Sequence, residues 1–150
     1  MTRRAFAACL ACALLLSHPL GAASARKSPA FDGTIVNRTP HDLVRTESAL
    51  PSGKWCGEPA EVIKAGETAT FCAEGPSTTQ GFITYKIGES GTTVTLNFAV
   101  DESQISHSQS AAFTSGDFRA TLSGTDDCAR GRRGAVHCFC NYTFAITVNR

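Results

Sequence analysis

The run His137-Cys138-Phe139-Cys140 holds the densest group of metal-binding side chains in the chain. Zinc takes thiolates and imidazoles, but they must converge on one ion. On an extended strand, neighbours point to opposite faces, so Cys138 and Cys140 share a side that His137 does not. That geometry favours disulfide chemistry, with a bridge from Cys128 to Cys138 or Cys140. Cys56 and Cys72 form the second expected pair. Asp126-Asp127 lacks the spaced oxygen ligands of a calcium loop. No metal site and no cofactor is implied.

Catalytic patterns are equally scarce. Gly88-Glu89-Ser90-Gly91 does not have the spacing of a nucleophile elbow and falls between two strand-like runs, not before a helix. His41, His107 and His137 lie among polar neighbours, and nothing in the sequence brings a serine and an acid to any of them. The expectation is a binding protein and not an enzyme.

Two clusters suit binding. Trp55 stands beside Lys54 in Ser52-Gly53-Lys54-Trp55-Cys56. An indole next to a cation in a loop can seat among lipid head groups; the plainer alternative is a core tryptophan packed by a disulfide. Arg130, Arg132 and Arg133 flank Gly131 and Gly134, where they could meet phosphates, head groups or an acidic partner; three arginines also suit a solvated turn. Asn37-Arg38-Thr39 and Asn141-Tyr142-Thr143 match the glycosylation triplet, a pattern too frequent by chance to carry weight.

Compartment decides what the cysteines do. Arg3 and Arg4 precede the apolar run Ala5 to Leu16, and Ala23-Ser24-Ala25 supplies a small-x-small cleavage pattern. The run is shorter than the roughly 20 residues of a spanning helix. Residues 1–25 are therefore expected to be a signal peptide cut after Ala25, and the product secreted or periplasmic. Thr2-Arg3-Arg4-Ala5-Phe6 resembles the twin-arginine pattern, but paired arginines are commoner in ordinary secretory leaders. The leader takes two of the 14 basic residues and none of the 13 acidic ones, leaving 12 against 13 and a mature net charge of −1. Such a balance gives no general attraction to nucleic acid. Five of the seven cysteines remain, so two bridges and one odd thiol are expected in an oxidising compartment.

The elements that must position these residues follow a period of two. Val136, Cys138, Cys140, Tyr142, Phe144, Ile146 and Val148 occupy alternate places, the signature of a long half-buried strand. Val94 to Val100 and Ile83 to Ile87 alternate likewise, and Gly88 to Gly91 between them predicts a hairpin. Shorter strands are expected near Gly33–Arg38, Asp42–Ser48, Val62–Lys64, Thr68–Ala73 and Asp117–Ser123. Turns are expected at Pro51-Ser52-Gly53, Ala65-Gly66, Ser115-Gly116 and Ala129 to Gly134, and Arg26 to Ala30 reads as a frayed leader. No stretch after the leader shows a sustained 3.6-residue stripe. The fold class is all-β: a single domain over 26–150, a disulfide-stabilised, two-sheet antiparallel β-sandwich of short strands.

The block from Asn37 to Phe98 resembles the aegerolysin family of small secreted lipid-binding proteins. Its residues are Asn37-x-Thr39, Leu43, Gly53-x-Trp55, Ile63-Lys64-Ala65-Gly66-Glu67, Phe71, Gly81 to Tyr85 and Val94 to Phe98. They cover about half the mature chain, in the family's order and at similar spacing. The resemblance implies a compact β-sandwich that recognises lipid head groups and acts with a larger pore-forming partner in cytolysis. Where family members carry an aromatic loop after the last of these strands, this chain reads Ala99 to His107 without an aromatic residue. The partners implied are a membrane lipid and that pore-forming protein, with Lys54, Trp55, Arg130, Arg132 and Arg133 as the lipid contacts. A secreted recognition module for protein or carbohydrate on the same scaffold is the alternative. An exposed apolar patch near Trp55 and Asp101–His107 would favour membrane, and a polar groove would favour sugar or protein.

Overall fold

Alternation of apolar and polar residues becomes ten strands in the computed structural model, which describes residues 29–130 and 136–149. The expected signal peptide, residues 1–25, and Arg132 and Arg133 lie outside those residues. The strands are β1 (Ala30–Asn37), β2 (Leu43–Ser52), β3 (Lys54–Gly57), β4 (Val62–Ile63), β5 (Thr68–Glu74), β6 (Thr78–Ile87), β7 (Thr93–Asp101), β8 (Ser106–Phe113), β9 (Phe118–Arg130) and β10 (Val136–Val148). They form two five-stranded sheets, A in the order β3-β5-β1-β10-β9 and B in the order β4-β2-β6-β7-β8.

Pairing is antiparallel except between β1 and β10, which run parallel from Ala30↔Phe139 to Asn37↔Ile146. The expected two-sheet antiparallel sandwich is thus present, with this one parallel pair added. Two strands from opposite ends of the chain meet in the middle of sheet A, and a parallel pair needs no hairpin between them.

The inner faces bury one residue in two. Ile83, Tyr85 and Ile87 of β6 lie against Val94, Leu96 and Phe98 of β7, and all are nearly or fully buried. Cys138, Cys140, Phe144 and Ile146 do the same for β10. Each such side chain stabilises the fold by about 1.5–3 kcal/mol when withdrawn from water. Phe31 of sheet A stacks on Phe98 of sheet B at 4.6 Å between ring centroids, fixing the distance between the layers.

The Gly88–Gly91 hairpin forms as expected, with both glycines at positive φ (52° and 74°). Other boundaries move. Ala30 is buried and starts β1, because it pairs with both Glu74 and Phe139. β2 runs through Pro51 to Ser52, absorbing register shifts at Arg45/Glu47 and Ala49/Ser52. β9 extends through Arg130, held by one-to-one pairing with β10. β3 and β8 were not expected. β3 is only four residues long, and in β8 (Ser106–Phe113) Ser106, Ser108 and Ser110 alternate with His107, Gln109 and Ala111, so its first half is polar on both faces.

Both disulfides join paired strands. Cys56–Cys72 ties β3 to β5, and Cys128–Cys138 crosses the β9–β10 hairpin at directly opposed positions. Cys140 is the odd thiol and is buried.

Candidate functional site

Sheet order and strand direction place four connections at one end of the sandwich. β2 ends and β3 begins there around Gly53, β5 passes to β6 through Gly75–Ser77, and β7 turns into β8 through Glu102–Ile105. The last residue of β9, Arg130, and the first of β10, Val136, face each other at the same end. The chain is thereby folded so that Lys54, Trp55 and Arg130, far apart in sequence, cap one end.

Each has a defined setting. Gly53 takes φ 100°, and a side chain there would meet the carbonyl oxygen of Glu74 at 2.8 Å. That turn projects Lys54 outward, 67% exposed, with Nζ 3.1 Å from Glu74 Oε1. Glu74 is buried and only Lys54 faces water, so the pair anchors the side chain at one side and leaves the ammonium within reach of a ligand. Trp55 turns the other way. Its ring is partly buried against the core, edge-on to Phe71 and tilted on Phe98 at 6.0 Å from each. The packed reading of Trp55 accounts for most of its surface. Arg130 is exposed. Beside Lys54, a groove of about 300 Å³ is lined by Gly53, Glu74, Gly75 and Pro76.

The segment from Asp101 to His107 completes this end. Asp101 Oδ1 accepts hydrogen bonds from Ser103 Oγ (2.6 Å) and Ser103 N (2.8 Å). Those bonds, the hydroxyl's first, hold the Asp101 carboxyl below its ordinary range. Cys138 N donates to Glu102 Oε1 at 3.2 Å, so the β7–β8 turn of one sheet is tied to β10 of the other. Ile105 sits in that turn at φ 50°, the only non-glycine with positive φ among the described residues, and is 42% exposed. An isoleucine in that conformation is a strained choice, and it presents an apolar side chain to solvent.

Sequence reasoning missed a polar cluster where the edge strands β8 and β9 approach. His107 Nδ1 lies 3.4 Å from Asp126 Oδ2, and Tyr142 donates its hydroxyl to Asp126 Oδ1 at 3.2 Å. Burial and the neighbouring Asp126 charge raise the Tyr142 phenol above its ordinary value. Alternation placed only Tyr142 on the inner side; β8 and the far half of β9 were not expected, and the approach of edges from different sheets left no trace in sequence. The nearby thiol is Cys140, which burial pushes up to about 11, so it stays protonated, the reverse of an activated nucleophile. Among the described residues no group of histidine, cysteine and carboxylate side chains could hold a metal ion, and no helix is long and apolar enough to cross a membrane.

Asn37 and Thr39, which open the Asn37–Phe98 block, have a structural explanation. Asn37 is fully buried. Its Nδ2 donates to the carbonyls of His41, Ile63 and Lys64 at 2.8–3.1 Å. Its Oδ1 accepts from Thr39 N and Oγ1. Asn37 therefore pins three chain segments together and is closed to glycosylation in the folded state.

No family model matches the chain, and no curated protein matches it. Among solved structures it is similar to the crystal structure of the lipid binding protein Nakanori, with a TM-score of 0.59 and 7% sequence identity. The match covers 80% of this chain and 71% of that one. At that identity the likeness is one of fold.

Proposed function

We propose that this chain is a secreted membrane-lipid-binding protein of aegerolysin type, without catalytic activity, that contacts the bilayer through the end of the sandwich capped by Lys54, Ile105 and Arg130. The observation that carries this reading is the convergence there of separate segments bearing two cations and a solvent-facing isoleucine. Cationic side chains suit head-group phosphates at about 1 kcal/mol each near an anionic surface, and Ile105 adds a shallow apolar contact. Trp55 braces the β3 strand from within and sets the position of Lys54. Two disulfides fit an extracellular or oxidising compartment. The similar solved structure is named for lipid binding, which agrees with the reading. Cytolysis, in this proposal, depends on a larger pore-forming partner, because one exposed isoleucine supports adhesion and not insertion.

The test is vesicle pelleting with the mature full chain. Phosphatidylcholine, phosphatidylethanolamine, phosphatidylserine and sphingomyelin vesicles are compared. Pelleting with at least one composition is expected, together with its loss in the Ile105→Asp and Arg130→Glu variants at unchanged melting temperature. Trp55→Ala should lower the melting temperature itself. Failure of the wild-type protein to pellet with all four compositions overturns the proposal.

A further inference from the structure

The outer face of sheet A differs in kind from the capped end. Cross-strand register sets Asp32 beside Asn141, and Thr34 beside both Thr70 and Thr143. The next outward residues of β9 in these rows are Thr125 and Ser123. Across these central rows there is no lysine, arginine or glutamate, and the short side chains leave a groove of about 300 Å³ over Asp32, Thr34, Thr70 and Asn141. One row toward the capped end, Phe139 stands on the same face of β10 and is 42% exposed. The alternation of β10 puts Phe139 outside while Cys138 and Cys140 are buried, so the phenyl ring offers part of its surface to solvent.

We propose that the outer face of sheet A binds a neutral sugar, with Phe139 as the stacking surface and Asp32, Asn141 and Thr34 as the hydroxyl-reading groups. A pyranose has an apolar C–H face and a rim of hydroxyls that both donate and accept. An aromatic ring suits the first, and a carboxylate, an amide and a threonine hydroxyl together offer both functions to the second. Phe139 and Asn141 are two residues apart on one strand, a spacing of about 7 Å, so one ring can cover the phenyl while its rim meets the amide. The lack of cations in the central rows disfavours phosphate or sulfate, and the surface offers too little contiguous apolar area for a lipid chain. The site adjoins the proposed bilayer contact, since Phe139 shares its row with Glu74 and Lys54, but its reading groups Asp32, Thr34 and Asn141 lie farther from that end, and it can read a free glycan or the sugar head group of a glycolipid.

Saturation-transfer NMR on the mature chain tests the site with methyl glucoside, methyl galactoside, methyl mannoside, N-acetylglucosamine and their β1,4-linked dimers. Transfer to at least one sugar is expected, weakened about tenfold or more, or 1.4 kcal/mol, by Phe139→Ser and by Asn141→Ala. Thr34→Lys, which removes one reading hydroxyl and lays a long cation across the groove, should block it with Phe139 and Asn141 in place. Phosphatidylcholine vesicles with and without galactosylceramide separate the sources, since only a head-group reader gains pelleting with the glycolipid. Unmodified vesicles should pellet with these variants as with wild type, so failure here leaves the bilayer reading intact. Absence of transfer across the whole panel, or transfer that survives all three substitutions, overturns the proposal.

Discussion

At the scale of single residues, the buried ionisable groups set how the protein responds to alkali. Burial pushes Cys140 from 9.0 to about 11 and Tyr85 from 10.0 to about 12, while Tyr85 donates its hydroxyl to Ala60 O. Both groups are neutral when protonated, and both hold the proton more tightly folded than unfolded. Their contribution is therefore complete below pH 9 and is lost as pH rises, from 9 to 11 for Cys140 and from 10 to 12 for Tyr85. Each costs about 1.4 kcal/mol per pH unit within its window. Urea unfolding midpoints should be flat through neutral pH and fall above 9. Cys140→Ser should remove the part of the fall between 9 and 10, and an unchanged slope there would contradict the assignment. Residue-scale chemistry was partly legible. The odd thiol followed from counting, and its identity did not, because Cys138 and Cys140 share one face and only the register decides which opposes Cys128.

Elements depend on glycines set beneath aromatic rings. Gly33, Gly81 and Gly124 each lie across from a ring, and an added Cβ would sit 2.1 Å from Phe71, 2.7 Å from Phe98 and 2.6 Å from Tyr142. At Gly124 it would also meet the Asn141 carbonyl oxygen at 2.1 Å, where the backbone cannot yield without breaking the β9–β10 ladder. Gly124→Ala should lower stability by about 1–3 kcal/mol, the usual cost of overpacking. Gly116→Ala, with open space around it, is the control and should change little. Thermal or urea unfolding of the two variants checks this, and equal stabilities would refute the close-packing argument. Alternation revealed the strongly apolar strands β6, β7 and β10. It did not reveal β8, whose half-buried positions are Gln109, Ala111 and Phe113, because an edge strand needs little hydrophobicity when its neighbour β7 supplies the backbone partners.

The whole molecule is organised by contacts distant in sequence. β1 forms the middle of sheet A by pairing with β5 on one side and β10 on the other, so the sheet is complete only once the C-terminal strand is present. Refolding of the disulfide-intact protein should accordingly fall in the slow range of non-local β topologies, milliseconds to seconds. Stopped-flow fluorescence of Trp55 reports it, since its ring joins the core against Phe71 and Phe98. Deleting residues 29–37 should abolish the β-sheet circular dichroism, and retention of a cooperative unfolding transition would show that β1 is dispensable. The sequence by itself determined the all-β class, the main strands, the β6–β7 hairpin and the Cys56–Cys72 pairing. These rest on period-two burial, turn chemistry and cysteine spacing, all local properties. Only the tertiary structure decided that β1 and β10 run parallel, that Trp55 packs inward, and that Lys54, Ile105 and Arg130 cap one end while Phe139 and Asn141 share an outer face. Those outcomes depend on which strands become neighbours, and neighbour choice is made by the joint burial of two whole sheets, a property no single segment carries.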